Sequence, residues 1–369
     1  MFNTNPFKNI FGLDISDSDI RLAQLKYRGK DIIINSLNEL AIPEGVVFDG
    51  EIKDEIKLKN QITRLIKNTA GHKVSTTYVN CVLPERKTFI KLIQLPETKS
   101  PDLNEAIKWE AAQHIPMSLD EMYLDWQIIN EAKTSEKCLK VLIAAAPKNI
   151  VDSYTHLLEE AKLLPVSFET ESMAITRSIL SNETNILSPF LIIDLGGDHT
   201  NLIVYDNHGI QFSSTLAFCG KDLTQKISRE LQMSPADAEK AKIICGLAAK
   251  KGKGQIIKII TPLFNELAEK VRETENFYLN IFPNSEKFKK IVLSGSGALL
   301  KNLDEFLKKK LNLPVEKINP LVDINLKQSK VKILADQACS FTTAIGLGLK
   351  NIIKNDVIKP SFPRKKEKA

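Results

Sequence analysis

Gly12-Leu13-Asp14-Ile15-Ser16-Asp17-Ser18-Asp19-Ile20-Arg21-Leu22 and Ile192-Ile193-Asp194-Leu195-Gly196-Gly197-Asp198-His199-Thr200-Asn201-Leu202 are two versions of one pattern, 180 residues apart. Each is an apolar run ending near an aspartate, a short polar turn of small residues, and a second apolar run. Each then reaches another turn at the same distance, with Gly29 fifteen residues after Asp14 and Gly209 fifteen after Asp194. Apolar–polar alternation after each turn predicts antiparallel strands, so each half starts as a three-stranded meander. Helices follow in both. Asp54 to Ala70 carries Ile56, Ile62, Leu65 and Ile66 as a stripe and ends at Gly71, a residue suited to stopping a helix. Lys221 to Gln232 carries Leu223, Ile227 and Leu231. Two meanders leading into helices predict a duplicated α/β fold with a central cleft.

The turns suggest a ligand. Small residues let consecutive backbone N–H groups surround a phosphate. Gly196 and Gly197 allow that approach, and Ser16 and Ser18 add hydroxyls. Two such turns facing each other would clasp a polyphosphate, with Asp14 and Asp194 beside it. Bare carboxylates there would repel the phosphates, so their expected role is to hold Mg²⁺, mostly through its waters. Their plainer role is turn capping. A third element is the strand Lys289 to Leu293 followed by Ser294-Gly295-Ser296-Gly297-Ala298 and a helix from Leu299 to Leu311. Its glycines let backbone approach a sugar or flat ring. A fourth is the helix opened by Ser234 and Pro235, which sets Glu239 and Lys242 on one face.

Between the meanders runs a strand–helix–strand–strand–helix–strand order: Thr88 to Leu95, a helix capped at Ser100 and Pro101, Met122 to Asn130, Cys138 to Ala146, Lys148 to Leu163, and Val166 to Glu169. That order is ferredoxin-like in outline. The predicted organisation is a first half over 8–86, an inserted strand–helix–strand–strand subdomain over 87–165, a return to the first half over 166–188, a second half over 189–353, and a basic flexible tail over 354–369.

Bulk properties exclude several classes. The chain has 369 residues, 43% hydrophobic, enough for more than one core. No stretch is apolar and long enough for a membrane span, and Met1 to Phe11 is too short and polar for a secretory signal, which predicts a cytoplasmic protein. Cys81, Cys138, Cys219, Cys245 and Cys339 are dispersed without CxxC or Cys/His spacing, arguing against zinc and disulfides. The net charge of +6 is modest and partly concentrated in Arg364, Lys365, Lys366 and Lys368. No basic, aromatic-interleaved stripe predicts nucleic-acid binding.

The hairpin, hairpin and Gly-rich-turn order matches the phosphate, phosphate and adenosine elements of the actin-like (ribonuclease H-like) superfamily. Within it the chain resembles the PilM family of type IV pilus assembly proteins. The resemblance rests on Glu110-Ala111-Ala112-Gln113-His114-Ile115-Pro116-Met117-Ser118-Leu119-Asp120-Glu121 with Asp125-Trp126-Gln127, on Val141 to Lys148, on Glu171 to Arg177, and on Ala344-Ile345-Gly346-Leu347-Gly348-Leu349. It spans about Phe11 to Asn351. It implies an ATP-binding scaffold at the inner face of the inner membrane, associated with the membrane through the N-terminal cytoplasmic tail of a bitopic PilN-like partner. That tail is expected in a groove between the insert and the first half, with Ile115, Pro116, Leu119 and Asp125 as candidate contacts. The resemblance also places Glu171 where a carboxylate polarises an attacking water. It assigns Asp14, Ser16, Ser18, Arg21, Asp194, Gly196, Gly197, Thr200, Glu239, Lys242, Gly295, Ser296 and Gly297 to nucleotide. The chain departs from the family at Ser16, usually Gly; at Asp19, usually small; at Arg21, usually Lys; and at His199. An FtsA-like division protein and a small-molecule kinase share the superfamily. The former usually ends in an amphipathic helix that Pro360 and Pro363 disfavour here. Self-association is not legible from one sequence.

Overall fold

The computed structural model describes residues 9–96, 103–129, 138–180, 188–248, 251–352 and 358–362. Both meanders form. β1 (Phe11–Ile15), β2 (Asp19–Arg28) and β3 (Asp31–Ala41) pair antiparallel, with Asp14 opposite Arg21. The small hairpin of β4 (Val47–Phe48) and β5 (Glu51–Ile52) leads to α1 (Glu55–Lys67), β6 (Ala70–Gly71) and β7 (Tyr78–Leu83). Asp54 caps α1, its carboxylate accepting the Lys57 N–H at 3.0 Å. The buried stripe is Leu58, Ile62 and Leu65. Ile56 instead stands 70% exposed, because two residues along a helix turn it about 200° from Leu58. The helix also stops earlier than expected, at Asn68, and Gly71 serves β6.

After β7 come β8 (Phe89–Pro96), α2 (Leu103–His114), β9 (Met122–Ile128), β10 (Cys138–Pro147), α3 (Lys148–Glu160), β11 (Leu164–Thr170) and α4 (Glu171–Leu180). The expected cap at Ser100 and Pro101 lies outside the described residues. β10 pairs antiparallel with both β8 and β9, and α2 covers that sheet with Ile107 and Ala111 against Ile93, Val141 and Ile143. β11 does not join these strands: it runs parallel to β7, so the element order is that of a ferredoxin-like unit while the last strand completes the first-half sheet.

The second half follows with β12 (Phe190–Leu195), β13 (Thr200–Asp206), β14 (Gly209–Leu216), α5 (Gly220–Leu231), α6 (Pro235–Cys245), α7 (Gln255–Ile281), β15 (Ile291–Ser294), α8 (Leu303–Leu311), β16 (Val315–Lys317), α9 (Ala335–Ala338) and α10 (Thr342–Leu349). The expected helix from Leu299 begins later. Residues Ser296–Leu299 form a 3-10 turn, then extended Leu300 and left-handed Asn302 break the path before α8.

The duplication is visible in the sheets. One has the order β11-β7-β1-β2-β3-β6, and the other begins β16-β15-β12-β13-β14. In both, two parallel pairings precede two antiparallel ones. The insert strands β8-β10-β9 then extend the second sheet through the Phe212–Lys91 pair, leaving β9 at its outer edge.

The Ala344 to Leu349 motif has a packing reason. α10 lies so close to α4 that a Cβ on Gly346 would sit 1.9 Å from the Ala174 carbonyl oxygen. Beneath it Arg177 is fully buried, bonded twice to Glu169 at 2.7 and 2.8 Å. Lys350 is a further cation on the same carboxylate. The expected flexible tail is described only at 358–362, and there it is packed: Ile358 and Phe362 belong to the main core, and Phe362 bridges Phe168 on β11. The basic residues that made the tail look solvated, Arg364 to Lys368, lie outside the described residues.

Candidate functional site

The β1–β2 and β12–β13 turns meet. Ser18 Oγ donates to the Asp198 carboxylate, Arg86 donates to the Asp198 carbonyl oxygen, and Lys221 pairs with the same carboxylate. Gly197 lies opposite Ser18: a Cβ there would be 3.5 Å from Ser18 Oγ. The N-terminus of α5 packs behind the second turn, Gly220 and Lys221 N–H groups donating to the Gly196 and Gly197 carbonyls at 3.0 Å. In the first turn, Ser16 Oγ accepts the N–H groups of Ser18 and Asp19 at 3.3 and 3.1 Å. Ser16 therefore shapes a turn that glycine would form without a side chain.

At the base of this junction sits a small polar recess lined by Asp14, Asp194, Glu171, Arg21 and Gly196. Burial, aided by the nearby Glu171 and Asp194 charges, pushes Asp14 up to about 7 despite Arg21. Burial and Glu171 likewise bring Asp194 to about 6. Arg21 lies 3.9 Å from Asp14, 3.2 Å from Asp19 and 2.6 Å from Glu39, so its charge is shared among three carboxylates. Among the described residues no set of three or more His, Cys, Asp or Glu side chains is disposed to hold a metal alone. Two hard oxygen donors beside a polyphosphate fit Mg²⁺, which keeps several waters.

Glu171 opens α4 and faces the second turn. Its Oε2 accepts from Asn201 Nδ2 at 2.9 Å and pairs with His199 Nε2 at 3.1 Å. Burial alone would raise the Glu171 pKa, but His199 and its hydrogen bonds hold it below the usual range. Burial opposes charge on His199 too, yet Glu171 outweighs that and lifts it to about 9. Thr200, a candidate ligand, is fully buried, and its Oγ1 has no hydrogen-bond partner among the described residues.

A cavity of about 450 Å³ adjoins the recess and shares Asp19, Gly196, Gly197 and Ser296 with it. Its walls include apolar Phe218, Leu223, Ile243 and Phe264. Glu239 and Lys242 line it together, 2.8 Å apart. Lys242 also donates to the Gly220 carbonyl at 2.9 Å and to Thr224 Oγ1 at 2.8 Å, tying α6 to α5. Gly295, at φ +80°, could not carry a Cβ, which would meet the Leu195 carbonyl oxygen at 2.5 Å. An apolar pocket of drug-ligand size joined to a polar, acidic recess suits a ligand with a flat base at one end and phosphates with a divalent cation at the other.

The family model described as type IV pilus assembly protein PilM matches residues 12–352. The chain belongs to the PilM family. A solved PilM-PilN type IV pilus biogenesis complex superposes with a TM-score of 0.77 at 24% identity, covering 93% of this chain and 98% of that one. MreB5 of Spiroplasma citri bound to ADP superposes at 0.54 with 12% identity, over 95% and 98% of the two chains. The cell division protein FtsA of Neisseria meningitidis serogroup B (strain ATCC BAA-335 / MC58) is 23% identical over 325 residues, 79% of this chain and 74% of that one. The fold is thus actin-like, and the chain is a PilM-family type IV pilus assembly protein.

In this PilM-family chain Asp14, Ser16, Arg21, Asp194, Gly196, Gly197, Gly295 and Ser296 line the recess, Ser18, Glu239, Lys242 and Gly297 line the cavity, and Thr200 lies buried on β13. Of the four expected partner contacts, Ile115 is buried in the insert core and Leu119 packs against it, while Pro116 is exposed. Asp125 accepts the Ser361 N–H at 2.7 Å. Sequence reasoning missed Asn201, Asp198 and Glu85. Glu85 is buried between α4 and β14, accepting the Ser172 N–H at 3.0 Å and the Ser213 hydroxyl at 2.6 Å. For Asn201 the signal was an amide set directly before the apolar run Leu202 to Tyr205, in a strand whose residues are all buried. Glu85 follows Pro84 in a short 3-10 turn and offered none.

Among the described residues no helix is long and apolar enough to cross a membrane.

Proposed function

We propose that the chain is a cytoplasmic ATP-binding scaffold of a type IV pilus or related secretion machine. It would work at the inner face of the inner membrane by binding the N-terminal tail of a PilN-like bitopic protein. The observation that carries the nucleotide part is the acidic recess opening into the apolar cavity between two facing turns. Family membership and the likeness to a PilM-PilN complex support the partner. The division into a first half, an insert from about residue 87 and a second half from about residue 189 belongs to the same reading.

In this account Asp14 and Asp194 would hold Mg²⁺, mostly through its waters, and the ion would supply positive charge against the phosphates. Ser16, Ser18, Gly196 and Gly197 border the phosphates, with Arg21 and Thr200 supporting the turns. Glu239 and Lys242 would contact the ribose or base, and Gly295, Ser296 and Gly297 would lie against the adenosine. Glu171 orients water for slow hydrolysis, its carboxylate kept ionised by His199. ATP acts mainly as a clamp on the two halves. Glu171→Ala is therefore expected to abolish slow turnover, followed by phosphate release, and to leave calorimetric binding of the partner tail at the wild-type level. Loss of tail binding in a folded Glu171→Ala protein would sink the clamp model.

A further inference from the structure

The segment 358–362 lies between two sheet edges. β9 is the outer strand of the insert side, and β11 is the outer strand of the first-half sheet. On one side, the Lys359 and Ser361 N–H groups donate to Gln127 Oε1 at 2.8 Å and Asp125 Oδ2 at 2.7 Å, alternate residues of β9. On the other, the Phe362 N–H donates to the Phe168 carbonyl at 2.9 Å in an antiparallel bridge. The Ile358 carbonyl accepts from Arg177 Nη2 at 3.1 Å. Ile358, Pro360 and Phe362 point inward and are buried, while Lys359 is exposed.

These are features of an extended peptide ligand: its main-chain N–H groups bond to side chains on β9 and to a backbone carbonyl on β11, and alternate side chains are buried. The groove's own groups survive without the occupant. Asp125 and Gln127 are side chains at a sheet edge, and Arg177 keeps both bonds to Glu169. Ile358 and Phe362 pack into the main core, yet the segment supplies no strand to either sheet of the duplicated pattern.

We propose that residues 358–362 occupy, in cis, a peptide-docking groove between β9 and β11, and that a partner tail enters it by displacing them. This rests on the partner reading above and adds its regulation. The incoming segment would be extended, with apolar side chains at alternate positions around a central small or cyclic residue, as in Ile358-Lys359-Pro360-Ser361-Phe362. A cis occupant that leaves the groove open a tenth of the time weakens the apparent affinity about tenfold.

The test compares the full chain, a chain lacking 354–369, and full-length Phe362→Ser, which loosens the segment if the deletion fails to fold. Two probes are used: a labelled synthetic peptide of residues 356–364 and the synthetic cytoplasmic tail of the partner. The 356–364 peptide is expected to bind the shortened chain and not the full one. The tail should bind the shortened chain or Phe362→Ser about tenfold tighter than the full chain, and should expel the labelled peptide. Equal tail affinity for all forms, or simultaneous binding of both peptides, overturns the displacement and leaves the scaffold reading standing. A tail that binds none of them, in chains that melt cooperatively, overturns the scaffold reading itself.

Discussion

Glu169→Ala is expected to lower the unfolding free energy by about 3–5 kcal/mol, because it strands two cations in the core. Arg177 is 2% exposed and Glu169 fully buried. Lys350 loses the same partner, at the C-terminal end of α10. Burial would raise the Glu169 pKa, but Arg177 and Lys350 hold it below the usual range. Its contribution is therefore present above the carboxylate's unfolded pKa and is lost as pH falls through the folded value. Urea melts at pH 7 and at pH 3 should show a large gap between wild type and Glu169→Ala at the first and a smaller one at the second. Replacing the pair together, as Glu169→Met with Arg177→Met, should cost less than the single change. A single change that costs nothing at pH 7 would show that the pair does not lock α4, β11 and α10 together.

Asp14→Asn should have opposite effects on stability and on ligand binding. In the metal-free protein the Asp14 and Asp194 carboxyls titrate near 7 and 6, above their unfolded values. The stability they give as neutral groups is present below the unfolded pKa and lost as pH rises through those values. Asn carries no charge to lose. Without metal, Asp14→Asn should melt close to wild type at about pH 3, below the unfolded carboxylate pKa, and increasingly above it as pH rises to 8. With Mg-ATP the order should reverse, because the variant lacks a cation-holding carboxylate. An affinity loss of about 100-fold, or about 2.8 kcal/mol, would remove most of the ligand-induced shift in melting temperature. A variant that binds Mg-ATP as well as wild type would remove Asp14 from the site.

The duplication was legible because Asp14 and Asp194 end strands of identical pattern, and the spacing to Gly29 and Gly209 fixes both meanders. Three physical features hid the rest. Pairing partners are not encoded in element order, so Leu164–Thr170 reads as the close of the insert although it pairs with β7. Long-range polar contacts leave no local pattern, so Asp198 and Glu85 carry no sequence signal of their roles, whereas Gly196 and Gly197 beside Asp198 do. In the tail, the basic residues and Pro360 and Pro363 suggested solvation. The period-2 spacing of Ile358, Pro360 and Phe362 was the signal of an extended, buried segment. The four candidate partner contacts were the least legible, since exposure depends on how distant elements pack, and Ile115 is buried against α2, β8 and β10.

The most direct test is calorimetric titration of the protein with the cytoplasmic tail of its bitopic partner, with and without Mg-ATP. The account predicts saturable one-to-one binding of the tail and a change in its affinity when Mg-ATP fills the cleft. A tail that fails to bind under both conditions, with Mg-ATP giving no heat of its own, would contradict both the scaffold and the nucleotide cleft.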